Sequence, residues 1–500
     1  MFSGESFGLE VLGWMATVFI FFLGIFLLFL IGVYIADVTQ TTHAIRRNYP
    51  IIGHLRYYFE HIGTFFRQYF FTMDREEMPF NRAQRSWVYR AAKDIDNTIA
   101  FGSTRDLKPS GTVLFVNTAF PTLGKDAVAC EPVVIGKDSA RTPFTARSFF
   151  NISGMSYGAI SKPAIQALSY GAKKASAWMN TGEGGLSPFH LEGGADIVFQ
   201  IGTAKYGVRD NNGNLSDEKL REIAAHETVR MFEIKISQGA KPGKGGILPA
   251  AKVSQEIADI RSIPKGEDSI SPNRHPEIEN NDHLIDMINH VREITGKPVG
   301  FKVVIGDKTW LADFLACVNK RGKETAPDFI TIDSADGGTG AAPMSLMDYV
   351  GMPIHESLPR AIDRICEAGL RDRIKVIASG KLINPADVAW ALCVGADFIT
   401  SARGFMFSLG CIQALQCHQN TCPTGITTHD KKLQRGLVAE QKSSRVDNYI
   451  KNIGYEVGVI AHSCGVHQPR ELSRRHVRIV QENGMSTMLA DIYPDVKEKI

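Results

Sequence analysis

The stretch PDFITIDSADGGTGAAP, residues 327–343, starts as a run of apolar and β-branched residues and ends as a glycine-rich loop. A strand with one wet face alternates polar and apolar residues; this run does not, so both of its faces are buried, as in a parallel sheet covered by helices. The same pairing recurs along the chain. FNISGM (near 149–154), WMNTG (178–182), DIVFQIG (196–202), MFEIKIS (231–237), PVGFKVV (298–304), IKVIASG (374–380) and ADFITSARG (396–404) are equally continuous, which with PDFITID (327–333) makes eight candidate strands. Amphipathic stretches such as KPAIQALSYGAKKAS, LIDMINHVREITG, TWLADFLACVNKRG and NPADVAWALCVG fit between them as helices. Eight alternating units predict an α/β fold, a TIM (β/α)8 barrel; a doubly wound open sheet is the alternative.

In such a barrel, chemistry sits on the loops after the C-terminal strand ends. Those loops are SGMSYGAIS, NTGEGG, SQGAKPGKGGILP, DSADGGTGAAP, SGK and ARGFMFSLGC. Glycine lets backbone amides close on a ligand, and the loops after the seventh and eighth strands commonly hold a phosphate, so a phosphate-bearing cofactor is expected. Next comes GCIQALQCHQNTCPTG, residues 410–425, with Cys411, Cys417 and Cys422, three of the chain's eight cysteines. An iron-sulfur cluster, a zinc ion completed by a ligand such as His418, a disulfide with one thiol left over, and inert thiols all remain open on spacing alone. The scattered Cys130, Cys317, Cys366, Cys393 and Cys464 suit packing in a reducing compartment. A formal charge of +3 over 500 residues gives no reason to expect nucleic acid.

The segment Val11–Ala36 carries no charge. As a helix, its roughly 26 residues span about 39 Å, enough to cross a hydrocarbon core of about 30 Å. A signal peptide fits poorly, because Glu5 and Glu10 precede the run and no Lys or Arg does. Arg46, Arg47 and Arg56 follow it, which places the main body on the cytoplasmic side of an inner membrane by the positive-inside rule. The aromatic and basic stretch from about Asn48 to Tyr89 suits a helix at the membrane surface or one packed on the barrel. The domains expected are a transmembrane helix over 1–40, a membrane-proximal extension packed on the barrel over 41–148, the barrel with its cysteine segment over 149–436, and a helical extension over 437–500.

SGMSYGAIS, NTGEGG, KISQGAKPGKGG with LPAAKV, GGTGAAP and GCIQALQCHQNTCPTG occur in one order over roughly Phe149–Gly436, and together they resemble the FMN-binding synthase domain of glutamate synthases. With its N-terminal span, the chain is similar to the membrane-anchored, single-subunit members of that family. The resemblance implies FMN and a 3Fe-4S cluster, the latter on Cys411, Cys417 and Cys422, whose spacing matches the family's cluster ligands. It further implies that Gly338, Thr339, Gly340, Gly380, Lys381, Arg403 and Gly404 hold the FMN phosphate, with Met155, Ser156 and Lys302 along the isoalloxazine ring. The implied reaction is reductive amination of 2-oxoglutarate, or a related keto acid, with ammonia. Lys241 and Arg261 match the family's positions for the acid, and Glu183 and Gln238 its polar contacts, with Glu183 free to shuttle protons.

Two departures bear on the substrate. Ile247 stands where larger synthases carry a glutamine, and SPNRHPEIE (271–279) replaces a His-His-Asp stretch. No glutaminase domain headed by a cysteine and no Rossmann glycine fingerprint is expected, so electrons are expected from a carrier such as ferredoxin or from a reductase subunit. An electron-relay subunit of a membrane redox complex, its keto-acid pocket vestigial, is the alternative function.

Overall fold

The apolar N-terminal run forms one helix, α1 (Ser3–Thr39), and Phe7–Thr39 is long and apolar enough to cross a membrane. Its large side chains, Trp14 and Phe22 among them, are exposed. At its end Asp37 accepts hydrogen bonds from His54 Nε2 and the Ile51 amide, each at 2.9 Å, which folds the chain back into α2 (Gly53–Phe66). The computed structural model describes residues 3–307 and 309–496 and divides into two units, Met1–Ala83 and Gln84–Ile500. The extension expected over 41–148 is thus shared between the two.

In the second unit eight parallel strands close into a barrel: β1 (Phe150–Ile152), β2 (Trp178–Asn180), β3 (Asp196–Ile201), β4 (Val229–Lys235), β5 (Val299–Val303), β6 (Phe329–Asp333), β7 (Lys375–Ser379) and β8 (Phe398–Ser401). Seven fall within their expected stretches, and β4 begins two residues before the expected 231–237. Closure comes from β8 against β1, with Ile399 paired to Phe150 and its amide donating to the Phe149 carbonyl at 2.7 Å; the open-sheet alternative is excluded.

Helix α3 (Lys162–Lys174) follows β1, its first turn capped by the Ser161 hydroxyl, which accepts from the Ala164 amide. The chain continues through α4 (Asp217–Ala225) to β4. Between β4 and β5 lie a two-stranded ribbon, Ile247–Leu248 with Ser269–Ile270, and two helices, α5 (Gln255–Arg261) and α6 (Asn281–Thr295). Later units add α7 (Trp310–Arg321), α8 (Ile354–Glu367), α9 (Pro385–Val394) and α10 (Arg403–Leu409). Between β2 and β3 the chain forms only a four-residue helical turn, Pro188–Leu191, plus a 3-10 turn.

Beyond the barrel, α11 (Ala439–Ser463) packs on α3 so closely that a Cβ on Gly171 would lie 2.4 Å from Val446 Cβ. The buried ring of Tyr449 on α11 packs edge-on against Phe150 and Phe405, centroids 5.5 and 5.2 Å apart. The last residues are not helical alone: Val477–Val480 and Ser486–Met488 form a sheet with Val113–Phe115.

The barrel has one open end. A hairpin, Val133–Ile135 with Phe144–Ala146, places Ile135, Phe144 and Ala146 against Trp178, Val198, Met231, Phe329, Ile377 and Phe398 near the strand starts. That apolar plug leaves only the C-terminal mouth for a ligand. Close by, the fully buried Asp328 takes Arg292 Nε at 3.0 Å, Arg373 Nη1 at 2.8 Å and the Val299 amide at 2.7 Å. Removing a partner from such a buried group leaves uncompensated charge. Asp328→Ala is therefore expected to lower stability by about 3–5 kcal/mol, measured as a drop in the urea midpoint.

Candidate functional site

The C-terminal mouth opens into a cleft of about 1050 Å³, lined by every glycine-rich loop singled out in the sequence except SGK, which lines a smaller recess of about 500 Å³ beside it. Met155, Ser156, Glu183, Gln238, Lys241, Arg261, Gly338, Thr339, Gly340, Arg403 and Cys417 all face the main cleft. Lys302, Gly380 and Lys381 line the recess with Gly338 and Arg403. Gly404 lines neither; a Cβ there would meet the Tyr449 hydroxyl at 2.2 Å, so packing against α11 requires this glycine.

A polar chain crosses the mouth. Glu183 pairs with Lys235 Nζ at 2.8 Å, and Lys235 also donates to Gln238 Oε1. Gln238 Nε2 donates to Thr339 Oγ1 at 3.4 Å, and the Thr339 carbonyl accepts from Arg403 Nη2. The other arm of Arg403 reaches Cys417 Sγ at 3.5 Å. Two further ion pairs stiffen the recess: Lys302 with Asp333 at 3.1 Å, and Lys381 with Asp336 at 2.9 Å.

Electrostatics separate the cations. Burial pushes the Glu183 carboxyl up, but Lys235, Lys241 and Arg261 outweigh it and hold it at about 2. Glu183 is thus held as the anion. Burial brings the Lys241 ammonium down to about 8, Lys235 and Lys244 pushing the same way and Glu183 opposing. Lys241 is therefore a lysine of the mouth brought well below the ordinary lysine range. Arg261, also buried, donates to Ser269 Oγ and the Tyr157 carbonyl, both at 3.3 Å; its Nε is buried without a partner and no carboxylate lies within ion-pair distance among the described residues.

The three cysteines sit on the loop after α10, and all are free thiols. Cys411 Sγ accepts from the Gln413 amide at 3.5 Å, and Cys422 Sγ lies 3.4 Å from Thr424 Oγ1. Among the described residues no three His, Cys, Asp or Glu side chains converge on one point as single-ion ligands do. Thiolates that each bind a different iron of a cluster need no such convergence. Two cations sit beside them: Arg403, and the buried Lys252, whose ammonium donates to the carbonyls of Cys417 at 2.8 Å and Thr427 at 2.7 Å. Positive charge next to three thiols fits a group held by thiolates.

Sequence reasoning missed Lys235, Lys252, Gln200 and Glu233. The signal was available for three of them: Gln200, Glu233 and Lys235 are the polar residues in the C-terminal halves of strands β3 and β4, towards the functional end of the barrel.

A family model described as "Conserved region in glutamate synthase" matches residues 116–467, which includes every residue of the mouth. The chain belongs to the glutamate synthase family. It is thereby an oxidoreductase of the glutamate synthase type. It is 40% identical over 490 residues to the "Glutamate synthase large subunit-like protein YerD" of Bacillus subtilis, covering 90% of this chain and 93% of that protein. It is 33% identical to the "Archaeal-type glutamate synthase [NADPH]" of Dehalococcoides mccartyi over 65% of this chain, and spans 62% of that protein's length. A flavocytochrome b2 variant with benzoylformate is among the similar solved structures, at 12% identity and TM-score 0.45 over 84% of this chain and 83% of that one.

The charge balance of the mouth is testable through Lys241. The unfolded chain holds this proton up to the ordinary lysine range and the folded chain only to about 8, so Lys241 opposes folding fully below pH 8. That penalty fades as pH rises from 8 towards 10.5. Glu183→Gln removes the charge that favours the ammonium, so the Lys241 midpoint is expected to fall below 8. The pH dependence of its reductive methylation, followed by NMR of the labelled methyl groups, measures the shift.

Proposed function

We propose that this glutamate synthase family member is a membrane-tethered enzyme that binds FMN and a 3Fe-4S cluster and converts 2-oxoglutarate, or a related keto acid, with ammonia to the amino acid. The observation that carries the reading is Arg261: a buried guanidinium with no acid partner, open to the same cleft as Lys241. Lys235 is paired with Glu183, and Lys252 and Arg403 lie against the cysteine segment, so Arg261 and Lys241 are the cations of the cleft that would meet the two carboxylates of a keto diacid. Buried unpaired charge is expensive unless a counter-ion arrives, and a dianion supplies one.

FMN would rest on Gly338, Thr339, Gly340, Gly380, Lys381 and Arg403 with Met155, Ser156 and Lys302 beside it, and Cys411, Cys417 and Cys422 would hold the cluster. When bound, these groups supply two-electron reduction and single-electron storage. The chain's own residues do the rest. Arg261 and Lys241 orient the acid, and Lys241, poised near neutral pH, holds or releases a proton at the nitrogen or hydroxyl of the carbonyl–ammonia adduct. The fixed Glu183 anion keeps Lys235 charged and Gln238 in place. Ile247, 45% exposed at the cleft, offers no hydrogen bond, which supports a keto acid other than 2-oxoglutarate as an equal candidate.

The helix α1 would anchor the enzyme, and electrons would come from a carrier such as ferredoxin or from a reductase subunit. Loaded protein given ammonia, 2-oxoglutarate and a reduced carrier is expected to form glutamate. Arg261→Leu is expected to lower kcat/KM for the keto acid by about 30- to 1000-fold, equivalent to about 2–4 kcal/mol for a buried charge partner lost. Flavin- and cluster-loaded protein that makes no amino acid from any keto acid overturns the proposal.

A further inference from the structure

Inside the barrel, directly below the mouth, the buried Glu233 on β4 organises three side chains that reach it from other strands. Its Oε1 accepts from Asn180 Nδ2 at 2.8 Å and from Gln200 Nε2 at 2.7 Å, and its Oε2 from Thr331 Oγ1 at 2.6 Å. The direction of the Asn180 amide is fixed independently, because its Oδ1 accepts the Gly182 backbone amide at 2.9 Å and a backbone N–H can only donate. The NH2 end of Asn180 must then face Glu233. A carboxylate only accepts, so the NH2 end of Gln200 must face it too.

That leaves Gln200 Oε1. It receives no hydrogen bond from the described residues, and Gln200 lines both the main cleft and the recess between the Lys302 and Met155 positions. The glycine at 154 is part of the arrangement: a Cβ there would stand 2.9 Å from Asn180 Oδ1 and 3.1 Å from Gln200 Nε2, and would displace both amides. The opposite orientation of Gln200 would set its carbonyl oxygen against the Glu233 carboxylate, two acceptors with no proton between them.

We propose that Glu233 is a positioning residue that locks the Gln200 amide with its oxygen towards the cleft, so that the cleft selects a ligand presenting an N–H donor at that point. This rests on the flavin reading given above. The pyrimidine edge of an isoalloxazine carries two carbonyl oxygens flanking one N–H, at N3. An unlocked glutamine could serve any of the three atoms. The locked one accepts only from N3–H, which fixes the rotational register of the ring in the mouth.

The test compares FMN with 3-methyl-FMN, which lacks that donor, by quenching of flavin fluorescence on reconstituting the full chain stripped of flavin. Wild-type protein is expected to prefer FMN strongly. Gln200→Met, which has no acceptor there, should bind FMN roughly tenfold more weakly, the loss of one hydrogen bond, and should largely lose the preference. Glu233→Leu is expected to reduce the preference by a similar factor with Gln200 intact, a change in ligand discrimination that general loosening of the barrel would not produce. Glu233→Gln should keep it, because its carbonyl oxygen can take the same two amides while its NH2 meets the Thr331 hydroxyl. Should Glu233→Leu not fold by circular dichroism, Glu233→Met, more adaptable in a core, takes its place. Equal affinity of wild type for the two flavins, an undiminished preference in folded Glu233→Leu or Glu233→Met, or its loss in folded Glu233→Gln overturns the assignment of Glu233. Wild-type protein that binds neither flavin overturns the flavin reading and the assignment with it.

Discussion

The structure depends on the hydrogen-bonded seam between β8 and β1, where Ile399 meets Phe150 and the barrel closes. A closed parallel sheet has no edge and two ends. Here one end is filled by the apolar hairpin over 133–146, and Gln200 and Lys235 of the strands line the other. Closure therefore does more than stabilise. It brings the ends of β3 and β4 opposite the loops after β6 and β8, so that Lys235, Gln200, Thr339 and Arg403 share one mouth although more than 200 residues separate the first of them from the last.

Within that mouth the organising element is charge compensation by pairs. Glu183 with Lys235, Lys302 with Asp333 and Lys381 with Asp336 each place an acid against a base in a partly dry site. What pairing leaves over is informative. Among the described residues Arg261 and Lys241 have no ion-paired anion, Gln200 has an acceptor without a donor, and three thiols lie beside the cations Arg403 and Lys252. The first two remainders have different chemical complements, an anion and an N–H donor, and the proposed function rests on them.

Lys241 and Glu183 show how the same burial acts oppositely on neighbouring groups. Desolvation pushes the carboxyl up and the ammonium down. At Glu183 three cations reverse that tendency, whereas at Lys241 two other lysines reinforce it. The result holds the carboxylate charged and brings the ammonium closer to losing its proton.

The eight strands, their order and the loops that bear function were legible in the sequence, because continuous apolar runs followed by glycine are local patterns that report burial on both faces and close backbone approach. The span of α1 was legible for the same reason: an uncharged run of that length needs no neighbours to explain it. Pairing was not legible. Nothing local says that Lys235 will meet Glu183, that Glu233 will gather amides from two other strands, or that Gly404 must leave room for the Tyr449 hydroxyl. Those facts arise when the barrel closes and sets residues far apart in the chain a few ångströms from one another, and only at that distance do charge, hydrogen-bond direction and packing decide what each side chain does.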